Sequence, residues 1–258
     1  MSPNVDAGPP GWPARLWLVR HGQSAGNVAA AEATAAGRAS IDVADRDVDV
    51  PLSALGKRQA RALGDWFAGQ PSDERPTALL VSPYLRAVQT AEIVAEAVGL
   101  DRASDRFVVD ERLRERELGM LNRLTKAGIT ARYPAEAELR ARLGKFYYRP
   151  PSGESWCDVL LRLRSVGDHL RVQGGDERVL IVAHQVIVLC FRYLLERMTE
   201  EQILQIDREG DVANCGLTAY DRAPAGNRLV LRFYNFVAPL EQAGAPVTEE
   251  KDAPAAAR

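Results

Sequence analysis

The stretch Leu16-Trp17-Leu18-Val19-Arg20-His21-Gly22-Gln23-Ser24 decides how this chain is read. Four apolar residues in a row, with no polar alternation, suit a strand covered on both faces, and such strands belong to parallel sheets flanked by helices. The run stops at an arginine and a histidine, so the strand feeds a polar loop. Two more runs have this form: Ala78–Val81 ends at Ser82, and Arg178–Ala183 (RVLIVA) ends at His184.

Helical stretches separate the three runs. Ser53 is placed to cap a helix reaching about Gly69, with Leu55, Gln59, Ala62, Leu63 and Trp66 at helical spacing. Ser82-Pro83 reads as the start of a helix reaching about Val98, with a capping hydroxyl and a proline in the first turn. Ser155 and Asp158 form a capping-box pattern ahead of a helix to about Val172. Residues 186–197 are apolar on nearly every face and read as a buried helix. Residues 214–220 and 229–234 read as late strands that include a sheet edge. This alternation predicts an α/β fold with a mostly parallel central sheet. One domain is expected over 14–241, with loose tails at 1–13 and 242–258. The alanine-rich segment 28–48 reads as a surface excursion, or else an extra helix near the pocket mouth.

With 258 residues, 46% hydrophobic and 26% charged, the composition is that of a globular protein. A net charge of -2 gives no reason to expect nucleic acid or an acidic membrane as partner. Only Lys57, Lys126, Lys145 and Lys251 are lysines, so arginine carries nearly all the positive charge. Cys157, Cys190 and Cys215 are scattered, with neither a disulfide framework nor a zinc pattern. The opening MSPNVDAGPPGWPAR lacks the basic and apolar blocks of a signal peptide, and no apolar run approaches the roughly 20 residues of a membrane span. A cytoplasmic protein is the expectation.

Ligands of open α/β sheets bind beyond the carboxyl ends of the strands. Arg20-His21, Ser82 with Arg86, and His184 each follow such an end, so three separate segments deliver two histidines and two arginines to one edge. Taken singly, each has a bland reading: a surface histidine, a solvated arginine, a satisfied core histidine. Four together make a site. An imidazole can attack phosphorus when a phosphate is held in line with it, and arginine forks neutralise the charge that repels attack. The leaving oxygen then needs a proton from a carboxylic acid. Chemistry of this kind calls for no metal and no cofactor. The only other histidine is His169, read as lying on an exposed helix face, which weakens a metal-dependent hydrolase. The absence of a GxxxxGK[ST] stretch speaks against a P-loop protein.

The segment Leu18-Val19-Arg20-His21-Gly22-Gln23-Ser24 through Asn27 resembles the signature of the histidine phosphatase superfamily, in its phosphoglycerate-mutase-like branch. Further segments match in order: Asp49-Val50-Pro51-Leu52-Ser53 with Gly56 and Gln59, Ser82-Pro83-Tyr84-Leu85-Arg86-Ala87 with Gln89-Thr90-Ala91, Leu113-Arg114-Glu115-Arg116 with Gly119, Gly153-Glu154-Ser155, and Val182-Ala183-His184. The resemblance implies a three-layer α/β/α sandwich. It implies that His21 is phosphorylated, that Arg20, Arg86 and His184 surround the phosphoryl group, and that Asn27 donates to it. Ser24 and Gln185 join the expected substrate contacts. Glu115 is implied as the proton donor; spacing alone does not separate it from Glu111 or Glu117, which read as solvated charges.

Gln185 follows His184 where many relatives carry glycine, and the aspartate of the acid-phosphatase branch is absent there, which supports Glu115 as the acid. In glycolytic mutases a longer insertion is expected before the Gly-Glu-Ser helix; here Tyr147-Tyr148-Arg149-Pro150-Pro151 runs almost straight into Gly153. A less enclosed site favours hydrolysis of a small phosphomonoester over mutase-type transfer. The counter-indications are the Asp49-Val50-Pro51-Leu52-Ser53 match and Lys126, at a position where a mutase holds its substrate carboxylate; the alternative for Lys126 is a helix surface charge. Residues 140–151 are expected to set specificity, with Phe146, Tyr147 and Tyr148 as a wall, or as core packing, and Arg142 or Arg149 reading a second anion. The alternatives to a phosphatase are a mutase and a catalytically silent phospho-ligand sensor, and a homodimer through an edge strand is compatible with the sequence.

Overall fold

A computed structural model describes residues 11–224 and 228–249. At its centre β1 (Arg15–Arg20) lies between β4 (Arg178–Ala183), to which it is parallel, and β5 (Leu217–Arg222), to which it is antiparallel. The six-stranded sheet runs β3-β2-β4-β1-β5-β6, with β2 at Ala78–Val81, β3 at Phe107–Val109 and β6 at Leu229–Phe236. Strands β3, β2, β4 and β1 are mutually parallel, and β5 and β6 close the other edge as an antiparallel pair. The sheet is therefore mostly parallel, as the apolar runs predict.

The unbroken apolar runs divide between two cores. Leu16 and Leu18 of β1, with Val179 and Ile181 of β4, face α6 (Trp156–Gln173) and α7 (Gln185–Leu195). Trp17 and Val19, with Leu180 and Val182, face α2 (Ala54–Ala68) and α3 (Leu85–Val98). Successive side chains of a strand point to opposite faces, so a strand in the middle layer must be apolar at every position. Each fully buried leucine or valine contributes about 1.5–3 kcal/mol. The result is a three-layer α/β/α sandwich. The remaining helices are α1 (Ala25–Ala35), α4 (Lys126–Arg132), α5 (Pro134–Tyr147), α8 (Glu200–Glu209) and α9 (Ala238–Gln242). Among the described residues no helix is long and apolar enough to cross a membrane.

Ser53 and Ser155 cap their helices as expected, Ser155 in a capping box with Asp158. Ser82 does not cap: α3 starts three residues later, and the Ser82 hydroxyl instead meets His184 Nε2 at 2.8 Å. Residues 214–216 form a loop ahead of β5 rather than the start of that strand. The segment 28–48 is a helix, α1, followed by a loop that returns to the site at Asp47.

Both expected tails are anchored where they are described. Trp12 packs against the α6–α7 core, and its carbonyl accepts from Arg222. After Gln242, Ala245 is buried, the Pro246 carbonyl accepts from Gln59, and the Thr248 hydroxyl bonds to Gln59 and Asn214. A Pro/Gly-rich or Ala-rich composition reads as solvated, but one tryptophan or one hydroxyl meeting buried partners is enough to fix a segment. Residues 1–10 and 250–258 lie outside the described residues.

Candidate active site

The three strand ends do converge. Arg20 and His21 leave β1 with both side chains fully buried, and the His21 amide donates to the Ala183 carbonyl, which ties this loop to the end of β4. His184 follows at once on β4, and the two imidazoles stand 5.1 Å apart, edge to face. Gly22 is required by close approach: a Cβ there would lie 2.5 Å from the Gly56 carbonyl oxygen, and one at Gly56 would lie 2.0 Å from that of Gln23. The loop after His21 thus lies directly on the first turn of α2.

The tautomer of His21 follows from its neighbours. Nδ1 lies 2.7 Å from the Gly22 carbonyl, which can only accept, so Nδ1 carries the proton. Arg86 Nε donates to Nε2 at 3.2 Å, so Nε2 presents its lone pair. The ring is held with the nitrogen that faces the arginine unprotonated. Arg86 is itself oriented by Asp47, whose carbonyl and carboxylate accept from Nη1 at 2.7 and 3.1 Å, and it lies 4.8 Å from the centre of the Tyr84 ring. Arg20 Nη1 donates to the Val212 carbonyl at 2.6 Å.

His184 Nδ1 lies 3.7 Å from Glu115 Oε2, while the other carboxylate oxygen accepts from the Arg116 amide at 2.7 Å. Glu115 is buried and Glu111 exposed; Glu117 is half-buried and accepts from the Gly119 amide. Of these three carboxyl groups, Glu115 is the one that approaches His184. Its loop is anchored from α6. Glu154 accepts from Arg114, Arg162 and the Glu117 amide. Burial pulls the Glu154 carboxyl upward, but Arg162 and the other donors prevail and hold it below the usual carboxylate range.

Ser24 caps α1 in a reciprocal box: its hydroxyl accepts from the Asn27 amide and donates to Asn27 Oδ1. With the oxygen of Asn27 so engaged, its amide nitrogen is the donor end of that buried side chain. Gln185 turns its nitrogen to Asp211 at 2.7 Å. The backbone of the first turn of α7, rather than the Gln185 side-chain nitrogen, is therefore the part of this segment available to an anion.

A cavity of about 430 Å³, whose lining includes none of Arg20, His21, Arg86, Glu115 or His184, is walled by Lys126, Glu136, Arg140, Lys145, Tyr148 and Asp207 among others. Arg116 joins the two regions. It follows Glu115 in the chain, and its guanidinium donates to the carbonyls of Glu154 and Tyr148. Burial lowers the pKa of Arg140, and the charge of Arg116 lowers it further; burial likewise lowers that of Lys145, against the pull of Asp207. Burial thus disfavours the charge on both cations, and Lys145 already pairs with the Asp207 carboxylate in the cavity wall.

Of the residues expected to govern specificity, Phe146 is core and packs on Trp156 and Tyr193, and Tyr147 is exposed. Arg149 is exposed and pairs with Asp158, and Arg142 is exposed and does not line the cavity. Tyr148 lines the cavity, alone of the three aromatics expected to form a wall, and Arg140 and Lys145 rather than Arg142 or Arg149 supply basic side chains to it. Gly144, at φ +79°, kinks α5 just before Lys145, a shift that helical spacing does not foretell. Asp47 and Tyr84 were missed as site residues. Tyr84 was legible from its place two residues before Arg86, whereas Asp47 has no local signal.

The chain is similar to several known proteins. Over 192 residues, 73% of this chain, it is 34% identical to a 6-phosphofructo-2-kinase/fructose-2,6-bisphosphatase of Caenorhabditis elegans. The chain spans about a third of the length of that relative, 36%. It is 28% identical over 209 residues to a probable phosphoglycerate mutase of Yersinia enterocolitica, covering 80% of this chain and 84% of the relative. Among solved structures, a mycobacterial glucosyl-3-phosphoglycerate phosphatase superposes with a TM-score of 0.64 at 28% identity, covering 86% of this chain and 99% of the other. The family model described as histidine phosphatase superfamily (branch 1) matches residues 16–235, and the chain belongs to that family.

Proposed function

We propose that this protein is a phosphatase that hydrolyses a phosphate monoester through a phosphohistidine formed on Nε2 of His21. The observation that carries the reading is the locked ring: Gly22 holds the proton on Nδ1, and the lone pair of Nε2 faces Arg86. In the first step the Nε2 lone pair attacks phosphorus, the ester P–O bond breaks, and Glu115 gives its proton to the departing oxygen. In the second, Glu115 takes a proton from water, the oxygen attacks phosphorus, and the P–N bond breaks to release phosphate and restore the imidazole. Arg20, Arg86 and His184 surround the transferring group, and the Arg86 Nε–H now spent on His21 passes to a phosphate oxygen as substrate arrives.

The substrate is a small phosphoester with a second anionic group, which the cavity walled by Arg140, Lys145 and Lys126 accepts. Relatives whose names specify a bisphosphate and a glucosyl-phosphoglycerate support a two-anion substrate. The mutase reading keeps one observation in its favour, since Lys126 does line that cavity. Phosphate release from a panel of phosphorylated metabolites, with chelator present and with His21→Ala in parallel, tests the assignment. Metal-independent release abolished in the variant supports it. Isomerisation of a phosphoglycerate faster than phosphate release contradicts it in favour of a mutase.

A further inference from the structure

The catalytic loop is gripped from behind by a closed chain of hydrogen bonds. The Gln23 amide donates to Gln59 Oε1 at 2.9 Å, and Gln59 Nε2 donates to the Thr248 hydroxyl at 2.9 Å. That hydroxyl donates to Asn214 Oδ1 at 2.9 Å, and Asn214 Nδ2 donates to the His21 carbonyl at 3.0 Å. The chain begins at an amide, which can only donate, and ends at a carbonyl, which can only accept. Both carboxamide orientations and the direction of the Thr248 O–H are therefore fixed. The circuit spans Gly22, from the His21 carbonyl to the Gln23 amide, and within it the Thr248 hydroxyl oxygen is the single atom that must accept and donate at once. Two bonds to backbone carbonyls seat the link: the Asn214 main-chain amide donates to the Thr248 carbonyl at 2.8 Å, and the Gln59 side-chain Nε2 also donates to the Pro246 carbonyl at 2.8 Å. Gln59, Asn214 and the His21 loop are buried, so a broken link leaves a polar group without its partner away from water.

We infer that Thr248 is a positioning residue. Through Gln59 and Asn214 it sets the backbone of the nucleophile loop, so that the segment after α9 serves catalysis without touching substrate. This deepens the phosphohistidine reading and rests on it. The geometry makes a sharp distinction between substitutions: serine keeps both functions of the hydroxyl, and valine keeps the shape and loses both.

The test compares Thr248→Val and Thr248→Ser with the wild-type full chain, using p-nitrophenyl phosphate. Thr248→Val is expected to lower kcat about tenfold, the size of one lost supporting hydrogen bond in a buried network, with KM changed less than about twofold. Thr248→Ser is expected to stay within about twofold of wild type. Wild-type kcat in Thr248→Val, or equal losses in both variants, overturns the inference, because the hydroxyl is then not the agent. Should Thr248→Val fail to fold, Thr248→Ala repeats the comparison with serine. His21→Ala runs alongside: activity surviving there sinks the phosphohistidine reading itself, whereas a dead His21→Ala with a fully active Thr248→Val removes only the brace.

Discussion

Nε of Arg86 stands 3.2 Å from Nε2 of His21, while the Gly22 carbonyl takes the other ring nitrogen at 2.7 Å. The proposed nucleophile and the arginine assigned to the phosphoryl group are thus in direct contact. Arg86 meets His21 through Nε and Asp47 through Nη1 at the same time. A lysine ammonium is a single point charge and cannot span both partners. Arg86→Lys is expected to lower kcat/KM about 100-fold or more, at unchanged far-ultraviolet circular dichroism, measured with an aryl phosphate. A loss below about threefold would show that charge alone suffices.

The role proposed for Glu115, 3.7 Å from His184 and bonded to the Arg116 amide, depends on the leaving group. A nitrophenolate departs with little help, whereas an alkoxide needs the proton. Glu115→Gln is expected to slow hydrolysis of alkyl phosphates by about 10²–10⁴-fold and of p-nitrophenyl phosphate by distinctly less. Equal losses across leaving groups in the phosphorylation step, read by rapid quench, would count against the proton-donor role.

The cavity predicts a split in specificity. Arg140→Ala and Lys145→Ala are expected to raise KM about tenfold for a substrate with a second phosphate or a carboxylate, and to leave an aryl monophosphate nearly unchanged. Parallel losses on both substrates would mean that these side chains serve the fold.

Glu154 carries a pH signature. Its pKa is lowered from the usual 4.5, so its contribution to stability is present above about pH 4.5 and is lost as the pH falls through the lower folded value. Glu154→Gln is expected to flatten the acid limb of the curve of thermal midpoint against pH between about pH 5 and 3. An unchanged acid limb would mean that the Arg114 and Arg162 contacts contribute nothing net.

The central sheet and the three converging strand ends were legible because their signals are local. A run such as Leu16-Trp17-Leu18-Val19 must be buried on two sides, and the polar residues that stop it must sit at the edge of the sheet. What was missed depends on partners far away in sequence. Ser82-Pro83 looks like a helix cap, but its hydroxyl is claimed by His184, 102 residues on. Asp47 sits in an alanine-rich excursion and becomes part of the site only because the loop returns to Arg86. Ala-rich residues after Gln242 read as a tail, yet Thr248 meets Gln59 across 189 positions. Arg140 and Lys145, rather than Arg142 and Arg149, line the cavity, and the kink of α5 at Gly144 lies between them.

The most direct test of the account is to trap the covalent intermediate. Wild-type protein mixed with an activated phosphoester and chelator would be quenched in base, where phosphohistidine survives, then digested and sequenced by mass spectrometry. The account predicts a phosphoryl group on the peptide bearing His21, formed at the rate of the nitrophenol burst and absent from His21→Ala. Steady turnover with no adduct on His21, or full turnover by the His21→Ala protein, would contradict it.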